Sequence, residues 1–73
     1  MRGTVPIDGR RIRDQRLGQV ISRKQLAERA GLGYSTLANY ETTFNTHAWP
    51  ETVQRIAKHL RVKPQEFVDL EKL

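Results

Sequence analysis

The stretch Ser22–Glu41, SRKQLAERAGLGYSTLANYE, decides the fold. Ser22 is a good N-cap, and Gln25 three residues later can reach back to the Ser22 amide and complete a capping box. Leu26, Ala27 and Ala30 then recur at helical spacing and give the first helix an apolar stripe. Gly31 follows Ala30, where a left-handed residue commonly stops a helix. Leu32 is apolar, and Gly33 can cap what comes next. A second helical pattern runs through Leu37, Tyr40 and Glu41. The stretch therefore predicts two short helices joined by a glycine turn.

Outward from this centre, the pattern stays helical. Downstream, Thr42–Ala48 (TTFNTHA) reads as a polar loop with one aromatic, Phe44. Pro50 suits the first position of a helix, whose apolar face is Val53, Ile56, Ala57 and Leu60. Arg61–Lys63 is a connection in which Val62 can plug the core. Pro64 is expected to open a fifth helix carrying Phe67, Val68, Leu70 and Leu73. Upstream, Asp8 can cap a first helix from Gly9 to about Leu17, with Ile12 and Leu17 on its weak apolar face. Val20 and Ile21 are expected to fold inward. Residues 1–8 are read as a flexible N-terminal arm and residues 9–73 as one domain. Nothing alternates with a period of two over a useful length, so no strand is predicted.

The chain has 73 residues, enough for a single small domain. It has no cysteine, which excludes disulfides and thiolate metal sites. His47 and His59 lie too far apart in sequence to suggest a metal site, and no cofactor or small-molecule ligand is evident. The net charge is +5 and the pI about 10.3, a balance that favours an anionic partner, most often nucleic acid. The charge is uneven. Arg2, Arg10, Arg11, Arg13, Arg16, Arg23 and Lys24 face only Asp8 and Asp14, so the cationic surface belongs to the N-terminal third. No apolar run approaches the ~20 residues of a spanning helix. No signal peptide is visible, and the expected location is cytoplasmic, with the nucleoid.

The chain resembles the Cro/repressor-type, XRE-like helix-turn-helix family. The resemblance covers about Gly9 to Val68 and rests on linked segments: RIRDQR, ISRKQLAERAGL, STLANYE and TVQRIAKHLRVKPQEF. It implies an all-α, compact five-helix bundle of the lambda-repressor-like DNA-binding type, with helices two and three as the helix-turn-helix. In that motif the second helix enters the major groove of double-stranded DNA.

Gly33, Tyr34, Ser35 and Thr36 are the exposed positions at the start of the third helix, with Asn39 one turn further on. By similarity to the family, Tyr34, Ser35 and Asn39 face the bases. Asn suits adenine, through a bidentate pair to N6 and N7. Arg23, in the first turn of helix two, is a candidate phosphate contact, because helix N-termini favour anions. Gly33, Thr36, Thr42, Thr43 and Asn45 are further candidates for the DNA backbone, and His47 lies in the same loop. Arg10, Arg11 and Arg13 add electrostatic attraction. Arg16 and Glu41 match a pair that many family members use as an ion bridge between helix one and the end of helix three.

Three positions depart from the family pattern. Gln15 stands where helix one usually places an apolar residue, which leaves Leu17 or Val20 to substitute. The segment between helices three and four lacks the usual glycine, which makes Asn45 the candidate left-handed residue. Lys63 stands where helix five usually has a capping Ser or Thr.

No catalytic constellation stands out, so enzymatic activity is not expected. The leading reading is a sequence-specific transcriptional regulator, a repressor that binds a palindromic operator as a dimer. Leu70 and Leu73 of the C-terminal helix are the candidates for that two-fold interface, and Trp49 for either that interface or the core. The alternatives are a protein-interaction module on the same scaffold, antitoxin-like, and a DNA-architectural or recombination accessory protein.

Overall fold

The computed structural model describes residues 3–43 and 46–72. In chain order the elements are β1 (Val5–Ile7), α1 (Gly9–Gly18), α2 (Arg23–Ala30), α3 (Tyr34–Thr42), β2 (Thr46–Ala48) and α4 (Pro50–Leu60). Two 3₁₀ turns follow, Pro64–Glu66 and Leu70–Lys72.

The caps set the helix boundaries. The Asp8 carboxylate accepts from the Arg10 amide and starts α1. Ser22 and Gln25 form the reciprocal capping box that starts α2: the Gln25 amide donates to Ser22 Oγ at 3.0 Å, and the Ser22 amide donates to Gln25 Oε1 at 2.9 Å. Gly31 ends α2 at φ 70°, ψ 33°, a conformation that costs glycine little and other residues more. Gly33 caps α3, and Pro50 occupies the first turn of α4.

The apolar faces meet around α4. Val53, Ile56, Ala57 and Leu60 are buried against Ile12, Leu26, Ala27, Ala30, Leu37 and Phe67. Val62 and Ile21 pack on the edge of this cluster. Gln19 ties the end of α1 to the end of α4, its side-chain amide donating to the Leu60 carbonyl at 2.7 Å.

Three features differ from the sequence reading, and a fourth adds to it. The first is a strand pair. β1 and β2 run antiparallel in the register Val5↔Ala48, Pro6↔His47 and Ile7↔Thr46, so part of the expected arm and part of the expected loop are sheet. Pro6 and Ile7 are buried, and His47 is exposed on its strand. Each strand has only three residues, too few to show a period of two.

Second, there is no fifth α-helix among the described residues. After Pro64–Glu66 the chain straightens, and Val68 bridges Ile7 on the side of β1 opposite β2. The Asp8 amide donates to Phe67 O at 2.8 Å and the Asp69 amide to Pro6 O at 2.9 Å. Backbone pairing with β1 takes the place of a helical turn. Phe67 is fully buried, Leu70 is exposed, and Leu73 lies outside the described residues.

Third, Val20 points outward. It is 90% exposed and sits at φ 57°. Leu17 is half exposed, so neither residue supplies the apolar contact expected from them, and Gln15 is half-buried in its own place. A β-branched residue in the left-handed region is strained by about 1–2 kcal/mol, and here no burial offsets it. Val20→Gly is expected to stabilise the domain by about 0.5–1 kcal/mol, after the larger chain entropy of glycine is deducted. A urea midpoint that falls in this variant would contradict that account.

Fourth, the glycine at the start of α1 is a contact point. Gly9 is buried, and a β-carbon there would collide with the Tyr40 carbonyl oxygen. The N-terminus of α1 therefore rests directly on the backbone of α3.

Candidate nucleic-acid interface

The start of α3 presents an exposed polar surface. Gly33, Tyr34, Ser35, Thr36 and Asn39 are all exposed, while Leu37 is fully buried and Tyr40 half-buried. Ser35 and Asn39 are four residues apart and share a face, with Thr42 continuing the row. The structure thus brings the three predicted base-facing residues, Tyr34, Ser35 and Asn39, onto the outer side of one helix. The signal was legible because Leu37 and Tyr40 fix which side faces the core.

The predicted backbone-contacting residues fall into several groups. Gly33 and Thr36 are exposed beside the reading face, and Thr43 is exposed just beyond its end. Thr42 is exposed too, but its hydroxyl donates to the Ala38 carbonyl at 2.8 Å. In this rotamer its proton is not free for a phosphate. Asn45, and with it the expected left-handed turn, lies outside the described residues, as does Phe44.

The face is held at its far end by a buried ion pair. Arg16 Nε donates to Glu41 Oε2 at 2.9 Å and Nη2 to Oε1 at 2.8 Å, a two-pronged bridge from α1 to the last turn of α3. The two side chains are 7% and 0% exposed. Arg16 Nη1 donates to the Ile21 carbonyl at 3.0 Å, so the same guanidinium also fixes the α1–α2 connection. A buried pair of this kind holds geometry more dependably than it adds stability.

Arg23 is the residue whose position the sequence did not anticipate. It stands at the start of α2, as expected, but its guanidinium turns toward α3. Nε and Nη2 each donate to Glu41 Oε1 at 3.3 Å, and the carbon of the guanidinium lies 5.8 Å from the centre of the Tyr34 ring. Partial burial works against the Arg23 charge, but the Tyr34 hydroxyl and the Glu41 carboxylate more than offset it. Its pKa is raised above the ordinary arginine value. Glu41 thus serves two guanidiniums from two different helices, and one positive charge is left over. The sequence shows no local sign of this second contact, because Arg23 and Glu41 are 18 residues apart.

Arg10 and Arg11 sit on the first turn of α1, both exposed and both ion-paired to Asp8. Arg11 also donates to the Glu66 carbonyl. Arg13 is exposed. Among the described residues no cluster of three or more His, Cys, Asp or Glu is placed to hold a metal ion, and no helix is long and apolar enough to cross a membrane.

Known proteins give this arrangement a family. The helix-turn-helix family model matches residues 12–67, and the chain belongs to that family, in its XRE-like branch. Among solved structures it is similar to the restriction-modification controller protein C.AhdI from Aeromonas hydrophila. The identity is 26% and the TM-score 0.72, over 80% of this chain and 86% of that one. It is also similar to SinR, the master regulator for biofilm formation, in complex with DNA: 28% identity and a TM-score of 0.74, covering 78% and 90% of the two chains. The N-terminal DNA-binding domain of SinR from Bacillus subtilis gives 26% identity and a TM-score of 0.74, over 89% and 94%. Among curated proteins, none matches the sequence significantly.

Proposed function

We propose that this protein is a sequence-specific regulator of transcription that binds double-stranded DNA, with α3 in the major groove. The observation that carries the reading is the exposed face Tyr34, Ser35 and Asn39 on the second helix of a helix-turn-helix, braced from α1 through Arg16 and Glu41. The similar SinR structure was solved in complex with DNA, which supports the same use of the scaffold. Tyr34, Ser35 and Asn39 would read bases. Arg23, the start of α2, and the residues Gly33, Thr36 and Thr43 would meet the backbone, where phosphate contacts fix register without carrying sequence information.

The finer reading is a repressor that works by occupying its site. Two copies would place two α3 helices about one turn of DNA apart on a palindrome. Leu70, exposed on the C-terminal 3₁₀ turn, belongs to the surface that would join them. The protein would act in the cytoplasm, at the nucleoid.

Selection from random duplex DNA at about 150 mM salt, near physiological ionic strength, tests the whole reading. A palindromic consensus is expected. No preferred sequence at that salt would overturn it and favour a protein-interaction module. Asn39→Ala should then lose about 1–3 kcal/mol of binding at one base position and leave the others unchanged. Equal losses at every position would show that Asn39 does not read a base. Each phosphate contact removed should reduce the slope of log K against log salt by roughly 0.9.

A further inference from the structure

The ends of α1 and α4 meet. The Gln19 side chain donates to the Leu60 carbonyl at 2.7 Å, so the last residues of the two helices lie side by side. Val20 and Arg61 stand one residue beyond the two ends of that bond. They are the two non-glycine residues at positive φ among the described residues, at 57° and 58°. Glycine takes this conformation freely and closes many helices in it, whereas a side chain there is strained. Both side chains are exposed, Val20 almost entirely, so no burial within the fold offsets the strain.

The surroundings are of two kinds. Leu17, one turn before Val20, is half exposed, which leaves two neighbouring apolar side chains bare. Around them are cations: Arg13 one turn before Leu17, Lys58 one turn before Arg61, and Lys63 just after it, all exposed. Among the described residues none of Arg13, Lys58, Arg61 and Lys63 makes an ion pair. Residues 55–65 contain no acid. A cation in the last turn of a helix complements the carbonyl dipole, which accounts for Lys58. It does not account for a bare valine and leucine beside the charges.

We propose that this seam, with Leu17 and Val20 at its centre and Arg13, Lys58, Arg61 and Lys63 around them, is a docking surface for a protein segment that sets carboxylates beside apolar side chains. Cations alone would suit a nucleic acid equally well, and it is the apolar pair that selects a polypeptide. Protein interfaces place an apolar centre inside a polar rim, and complementary charge at the rim fixes the partner's register. The strain at Val20 and Arg61 is kept because their side chains serve the partner and not the fold. The surface belongs to α1 and α4, so it is a second binding function beside the reading of DNA by α3.

Selection of displayed random peptides on the whole chain tests this. The expected consensus sets Asp or Glu next to Leu, Ile or Phe. A synthetic peptide of that consensus should bind Val20→Gly roughly ten- to hundredfold more weakly, the effect of one buried apolar side chain. It should bind Arg61→Gly about threefold more weakly, as for an ion pair at a rim. Both glycines relieve backbone strain, so both variants should resist urea as well as the wild type. Lys63→Glu, an exposed charge reversal, should also weaken the peptide in a variant whose backbone is unchanged. In NMR titrations the amide shifts should fall at residues 17–20 and 58–63, away from α3.

Three results would overturn the proposal. One is a selection with no consensus, or with a consensus that lacks acids or binds Val20→Gly as well as the wild type. Another is self-association in sedimentation that Val20→Gly abolishes, which would show that a second copy covers the seam. The last is an equal loss of affinity for every duplex DNA sequence in Val20→Gly and Lys63→Glu, which would assign the seam to the DNA backbone.

Discussion

Gly9→Ala should cost about 3 kcal/mol or more of folding stability, the upper range of overpacking penalties. The expectation runs against local propensity. Gly9 is the first residue of α1, and alanine is favoured over glycine in a helix by up to about 1 kcal/mol. What reverses the sign is space. The added β-carbon would overlap the Tyr40 carbonyl oxygen and carbon and sit 3.1 Å from Glu41 Cα. All three are main-chain atoms of α3, so no side chain can swing aside. Either α1 lifts from α3 or the end of α3 unwinds. A domain of this length has only about 4–11 kcal/mol in total, so a loss of this size is visible in any urea titration. An unchanged or higher midpoint would show that the two backbones do not meet there. Because Glu41 is at the same spot, the variant should also disturb the Arg16 bridge.

Glu41→Ala should be comparably damaging, for an electrostatic reason. It removes the acceptor of four hydrogen bonds, two from Arg16 and two from Arg23. Arg23 can turn to solvent, since it is at the edge. Arg16 cannot, because its side chain is only 7% exposed. Leaving one buried partner unpaired typically costs about 3–5 kcal/mol, whereas replacing both partners by apolar groups is often neutral. Chemical denaturation of Glu41→Ala should therefore show a large loss, and Arg16→Met with Glu41→Leu should recover most of it. A double variant as unstable as the single one would mean that the pair contributes a strength of its own beyond the penalty of an orphaned charge.

The four α-helices were legible because each carries its own punctuation. Asp8, Ser22 with Gln25, Gly31 and Pro50 are start and stop signals read by the chain locally. The reading face was legible for the same reason: once Leu37 is assigned inward, Ser35 and Asn39 can only face out. The Arg16–Glu41 bridge came from the family resemblance, and the geometry confirms it. What could not be read depends on distant partners. Val68 leaves helical geometry because Ile7, some sixty residues earlier, offers it a strand to pair with. Pro6 looks like a breaker and is a strand residue, which takes part through its carbonyl, the acceptor for the Asp69 amide. Val20 was expected inside on hydrophobicity alone, and the turn that leads into the Ser22 cap puts it outside. Arg23 was expected to face a phosphate, and Glu41 and Tyr34 draw it toward the reading helix.

The pairing of β1 with both β2 and Val68 makes the fold a closed ring. The N-terminal strand lies between the segment that follows the reading helix and the segment that ends the core. β1 is shared, so it cannot peel away without surrendering both sets of contacts, and the entropic cost of closing so long a loop grows only slowly with its length. The backbone of the reading helix meets α1 at Gly9, one residue beyond this closure, so the pairing of β1 also fixes where that helix rests.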